Sequence, residues 1–190
     1  MDEAPSDEDL MLRYRDGDAA AFNLLYSRHR GGLYRYMLRQ VRDAAIAEEL
    51  FQDVWINLIN ARDRYTVQAQ FRTYLYRVAH NRLVDHVRRR GNHVFTSIDH
   101  GDSTEDDPID IPDSPTNTPE ARQWAEQQLQ RIVELVEGLP DAQREAFLLH
   151  HEGELNVDAI AEATGVNRET AKSRLRYAHN KLREGLKEYL

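Results

Sequence analysis

The chain has 190 residues, 41% of them hydrophobic and 31% charged, with a formal net charge of −8 and no cysteine. That size and apolar content allow one ordinary domain or two small ones, and a chain without cysteine has no disulfide, zinc-thiolate or thiol chemistry. No apolar run approaches the roughly 20 residues that span a bilayer, and an acidic start (Asp2, Glu3, Asp7, Glu8, Asp9) is the reverse of a signal peptide, so a cytoplasmic protein with no membrane contact of its own is expected.

With only nine glycines and six prolines, the pattern is helical nearly throughout. A first pair of helices is predicted over about 7–15 and 19–42, with Asp18 as N-cap and Phe22, Leu25, Tyr26, Leu33 and Met37 as an apolar stripe. A third helix, about 43–61, buries Ile46, Leu50, Val54 and Leu58, and carries Glu48, Glu49, Gln52 and Asp53 on its polar side. A polar loop, 62–70, leads into a helix over 71–90 that buries Leu75, Val78, Ala79, Leu83 and Val87. Residues 93–118 hold Pro108, Pro112 and Pro115 among many Asp, Ser and Thr, with no helical period, and read as a flexible acidic linker. Beyond it come helices over about 119–138 and 141–151, the second opened by Pro140. The last pair forms a helix-turn-helix over 155–186, with Gly165 at the turn and Ala171, Leu175, Ala178, Leu182 and Leu186 on one buried face. The expected fold is all-α: an N-terminal helical domain over 1–92 and a C-terminal helix-turn-helix domain over 119–190, joined by residues 93–118.

The charge is unevenly placed. Residues 97–120 hold eight acids and no Lys or Arg, whereas residues 62–91 hold eight arginines against Asp63 and Asp85. Residues 163–190 hold seven bases against three acids. Two basic segments thus flank an acidic connector, and the local pattern argues for nucleic acid where the net charge argues against it. On the final helix, Arg168, Lys172, Arg176 and Lys181 oppose the buried stripe, the composition of a helix that lies in a DNA major groove. On the 71–90 helix, Tyr74 and Tyr76 interleave with Arg72, Arg77, Asn81, Arg82, Arg88 and Arg89. Rings that stack on unpaired bases beside arginines that hold phosphates suit opened or single-stranded DNA. The acids around Glu49 could dock a basic helical partner, although a solvated helix face has the same composition. His150 and His151 are adjacent, so their side chains diverge by about 100° and do not make a helical metal pair. No P-loop, nucleophile elbow or dinucleotide glycine motif is present. No enzyme, cofactor or metal is expected.

In this order the chain resembles the bacterial extracytoplasmic-function sigma factors, the small two-domain specificity subunits of RNA polymerase. The resemblance runs through Gly17-Asp18 with Ala21-Phe22 and Leu25-Tyr26, then Ala47-Glu48-Glu49-Leu50-Phe51-Gln52-Asp53-Val54-Trp55. It continues through Phe71, Tyr74-Leu75-Tyr76-Arg77-Val78-Ala79-His80-Asn81, Asp85 and Arg88-Arg89-Arg90, then Leu139-Pro140, Arg144-Glu145, Phe147-Leu148-Leu149 and the helix-turn-helix. Tyr74 stands where the family often has Trp, which keeps an aromatic surface.

The resemblance implies a non-enzymatic initiation factor that binds core RNA polymerase at its clamp and flap and reads promoter DNA, with an anti-sigma factor as a further partner. It assigns polymerase docking to Glu49, Leu50, Gln52 and Asp53. It assigns the melted −10 element to Tyr65, Phe71, Arg72, Tyr74, Tyr76, Arg77, Asn81, Arg88 and Arg89, with the loop 65–70 forming a pocket for a flipped base. The −35 duplex falls to Arg168, Thr170, Lys172, Ser173, Arg176 and Tyr177. A second reading of the same resemblance is a sigma-like adaptor that sequesters an anti-sigma factor without binding DNA.

Overall fold

In the computed structural model, which describes residues 4–91 and 119–187 (side chains within 119–126 excepted), the chain is helical and no strand occurs among the described residues. The N-terminal half contains α1 (Asp7–Arg15), α2 (Ala19–Val41), α3 (Ala44–Ala61), a short 3₁₀ turn (Arg62–Arg64) and α4 (Phe71–Arg89). The C-terminal half contains α5 (Pro119–Glu137), α6 (Asp141–His151), α7 (Val157–Thr164) and α8 (Arg168–Lys187). The expected linker, 93–118, lies outside the described residues. No described helix is long and apolar enough to cross a membrane.

Short polar side chains set the helix starts. The Ser6 hydroxyl accepts from the Asp9 amide at the head of α1. Asp18 accepts from the Ala20 and Ala21 amides to open α2, and Asp43 does the same for Ala45 and Ile46 of α3. Each cap satisfies amides that the first helical turn leaves without partners. Asp18 also binds Arg13 at 2.6 Å, which fixes the sharp corner between α1 and α2.

The N-terminal core is built from Leu10, Leu25, Leu33, Met37, Val54, Leu58 and Leu75, all fully buried. Beside it Tyr14, Phe22, Tyr26, Phe51 and Trp55 form a continuous aromatic cluster between α1, α2 and α3, with edge-on pairs such as Phe22–Trp55. Such offset and edge geometries are the favourable ones for ring quadrupoles. This core makes a rigid platform on which α3 and α4 present their outer faces.

In the C-terminal half, Leu149, Ile160, Ala171, Leu175, Ala178 and Leu182 bring α6, α7 and α8 together. Gly165 ends α7 at φ 69°, a left-handed position that a Cβ disfavours, and its turn aims α8 across α7. Asn156 caps α7 through the Ala159 amide, and Asn167 caps α8 through the Thr170 amide. The two halves also pack on each other, chiefly α7 against α4 and α6 against α2.

Candidate nucleic-acid interface

The acidic stripe on α3 lies open to solvent. Glu48, Glu49 and Gln52 are exposed and Asp53 is half-buried; Gln52 donates to Glu48 at 2.9 Å. Leu50 does not share that surface. It is 5% exposed and belongs to the core beneath, as its helical period predicts. Exposed apolar residues on this helix are Ile56, three residues beyond Asp53 and 53% exposed, and Ile59 one turn further on.

The loop after α3 and the first turns of α4 enclose a cavity of about 250 Å³ walled by Arg64, Tyr65, Tyr74 and Arg77. Tyr65 is mostly buried, and its hydroxyl has no hydrogen-bond partner. Burial, helped by the negative charge of Glu8, pushes that phenol up to about 12, so it stays a neutral donor. Arg77 lies 5.9 Å from the Tyr74 ring centre, a cation over an aromatic face at the cavity wall. The Phe71 amide is tied to Glu8 of α1 at 2.6 Å, which pins the loop to the platform.

Two of the expected −10 rings are elsewhere. Phe71 is fully buried against His29 and Tyr65. Tyr76 is 2% exposed and donates to the Glu152 carbonyl of the C-terminal half at 3.0 Å. A helical period read from sequence supposes one buried face. Helix α4 has two, because α3 covers one side and α7 another. Of the rings on α4, only Tyr74 keeps part of its surface free, while Asn81, Arg88 and Arg89 are exposed or nearly so farther along the helix.

The −35 candidates lie on the outer side of α8, opposite Ala171, Leu175 and Ala178. Lys172 is exposed; the Arg176 guanidinium rests 5.2 Å from the Tyr177 ring centre; Ser173 donates to the Thr170 carbonyl. Arg168 pairs with Asp158 of α7 at 2.8 Å, which turns it back toward the first helix of the motif. This is one face, cationic with an aromatic patch, on a helix whose other side is fixed by packing.

Sequence reasoning missed the seam between the halves. Glu145 of α6 is 2% exposed, and one of its oxygens takes the Tyr36 hydroxyl at 3.0 Å and contacts His80 Nδ1 at 2.7 Å. Burial, then the Glu145 charge, holds the Tyr36 phenol well above its ordinary pKa. Arg35 pairs with Glu152 at 2.7 Å and Arg39 with Glu137 at 3.1 Å; Arg42 donates to the Glu137 carbonyl. Arg72 pairs with Glu154, and Arg77 with Glu162 at 3.7 Å. A Cβ on Gly32 would stand 2.6 Å from the Glu152 carbonyl oxygen, so the backbones meet where only hydrogen fits. Gly31-Gly32 inside a long helix was the available signal, since glycine there costs about 1 kcal/mol and is kept for a packing reason.

The His150, His151 and His179 rings gather where α6 meets α8, with His151 and His179 Nε2 atoms 3.3 Å apart. No cluster of three or more donors among the described residues is arranged to hold a metal.

Comparison with known proteins agrees with this layout. Residues 25–93 match the model of sigma-70 region 2, and residues 129–182 match sigma-70 region 4. The ECF RNA polymerase sigma factor SigK of Mycobacterium sp. (strain KMS) is 31% identical over 174 residues, spanning 90% of this chain and 86% of its own. RNA polymerase sigma factor CarQ of Myxococcus xanthus is 30% identical, with 94% and 96% covered. Two solved structures share the fold. CnrH in complex with the cytosolic domain of CnrY has a TM-score of 0.67 at 19% identity, covering 97% of this chain and 99% of that one. The sigma factor RpoE bound to the anti-sigma factor NepR, from Bartonella quintana, has a TM-score of 0.63 at 23% identity, with 87% and 96% covered.

Proposed function

This chain belongs to the extracytoplasmic-function family of RNA polymerase sigma factors, and we propose that three of its surfaces divide the work of promoter recognition. The α3 stripe of Glu49, Gln52 and Asp53 docks on the basic clamp element of core polymerase. Ile56 supplies the apolar contact there in place of the buried Leu50. Complementary charge sets the register of such a contact more than its strength. The cavity between the 62–70 loop and α4 receives a base extruded from the −10 strand. Tyr74 offers it a face and Arg77 a cation for the neighbouring phosphate, with Tyr65 in the wall beside them. Extruding a base costs a few kcal/mol, which these contacts must offset. Asn81, Arg88 and Arg89 continue the track along α4. The outer face of α8 enters the −35 major groove, where Lys172, Ser173 and Arg176 reach base edges or phosphates.

The observation that carries this reading is the cavity of about 250 Å³, walled by the Tyr74 ring, Tyr65 and Arg77, with Glu162 beside the arginine. The domains are residues 1–92 and 119–190. The protein acts in the cytoplasm as a binding factor with no reaction of its own, and an anti-sigma factor is a partner of the same surfaces. The adaptor reading would leave both the cavity and the α8 face without a ligand.

In vitro transcription by core polymerase on a library of randomised promoters tests the proposal. Promoter-dependent RNA only when the protein is added is the expected result, and its absence would remove the initiation role. In a pulldown, Glu49→Lys with Asp53→Lys should lower capture of core polymerase by about tenfold or more, as like charges replace complementary ones. Undiminished capture would move docking off α3.

A further inference from the structure

The outward face of α8 carries one residue that its cationic neighbours do not explain. Successive side chains on a helix turn by about 100°. Glu169, Ser173 and Arg176, at steps of four and three, therefore run in a line down the side opposite Ala171, Leu175 and Ala178. Glu169 and Ser173 fall roughly 150–170° from the centre of the buried stripe, Lys172 about 90° and Arg168 about 50°. Arg168 is accordingly drawn sideways to Asp158 at 2.8 Å and meets Glu169 only at 3.6 Å, while the Glu169 side chain is 80% exposed. In the first turn of α8, the charged group that points straight out is thus an acid. The first residues of a recognition helix are the ones that reach base edges.

A carboxylate brought between two phosphate strands is repelled unless a donor meets it. Lys172, Ser173, Arg176 and Tyr177 can all donate a hydrogen bond; ionised Glu169 only accepts one. The major-groove edges of the bases decide its partner. Guanine offers N7 and O6 and thymine offers O4, all acceptors. Adenine offers the N6 amine beside its own N7 acceptor, and cytosine offers the N4 amine with no acceptor of its own beside it. Cytosine satisfies Glu169 best, adenine comes second, and guanine and thymine are rejected.

We propose that Glu169 is a specificity-determining residue of the −35 helix, accepting a hydrogen bond from the N4 amine of one cytosine and holding the other bases off that position. The proposal rests on the assignment of the −35 duplex to α8 made above. To test it, core polymerase with the full chain is given a promoter library randomised across the −35 element, each member tagged by a transcribed barcode, and the RNA is sequenced. Wild type should favour cytosine at one position by about tenfold or more over guanine and thymine. Glu169→Gln, whose amide pairs with N6 and N7 of adenine, should move that same position to adenine and leave the others as they were. Glu169→Ala should make the position indifferent. The side chain is exposed, so neither change touches the core. Preferences unchanged in both variants, or a variant-sensitive position that wild type fills with guanine or thymine, would overturn the role of Glu169. So would a uniform rise in RNA from every sequence in both variants, which would place Glu169 beside a phosphate. Those results leave the other −35 preferences standing. A wild type with no preference at any −35 position would instead remove α8 from the groove, and the role of Glu169 with it.

Discussion

Asp7 shows how a single charge can hold together parts of the fold distant in sequence. It stands in the first turn of α1, binds His29 and Arg28 of α2 at 2.7 Å each, and lies within 4.0 Å of Arg72. Burial works to raise its pKa, but the hydrogen bonds from His29 and Arg28 outweigh that and hold it down at about 2. A depressed carboxylate stabilises the fold above the unfolded value of 3.8, and the contribution is lost as pH falls through about 2. Asp7→Asn should therefore cost about 2 kcal/mol at neutral pH, and the difference from wild type should shrink between pH 4 and pH 2 in chemical denaturation. A difference that does not change over that window would mean that the charge of Asp7 is not what holds these parts together. Gly32 makes the opposite point. An alanine in a helix interior ordinarily gains about 1 kcal/mol over glycine, but here its methyl would strike the Glu152 carbonyl. Gly32→Ala should weaken the seam by about 1–3 kcal/mol, seen in small-angle scattering as a larger radius of gyration with helical content unchanged. A more stable and equally compact variant would contradict the close approach.

At the scale of elements, most of the fold was legible. Asp18 and Gly165 mark helix ends by chemistry that does not depend on the rest of the chain, and both serve as their residue types predict. The stripe Ala171, Leu175, Ala178, Leu182 likewise fixed the outer face of α8. What could not be read was a second buried side on one helix. Tyr76 looks like surface until Tyr36 and the turn after α6 close over it, and Glu145 looks like an ordinary helical acid until Tyr36 and His80 arrive from residues distant in sequence. Leu50 was read two ways, as buried by its helical period and as a docking residue by the family motif; its 5% exposure follows the period, since a motif names neighbours in sequence while successive helical residues point about 100° apart. The well-defined α8 face allows a clean test. Lys172→Ala should weaken holoenzyme binding to a −35 duplex by about 1–3 kcal/mol if it touches a base, and should instead lower the salt slope by about one if it touches a phosphate. No change in either would take Lys172 out of the contact set.

For the whole molecule, the seam combines two kinds of polar contact that salt separates. Arg35–Glu152 and Arg77–Glu162 are solvent-exposed, and such pairs contribute little and are screened. The Glu145 cluster is out of reach of ions. Raising ionic strength should leave the wild-type chain compact in scattering, yet open Glu145→Gln, whose neutral side chain loses the charge that His80 meets. Wild type that opens at moderate salt would place the hold in the outer pairs.

The chemistry of that seam also sets what opening costs the solvent. Had the halves met through leucines, separation would bare an apolar surface that water disfavours by about 25 cal/mol per Å², and an opened molecule would be prone to stick to its own kind. Where they meet at Glu145, Tyr36, His80 and paired arginines, each group released finds water as a ready partner. The Tyr36 and Tyr76 rings, buried in the same seam, are the part whose exposure water does not repay.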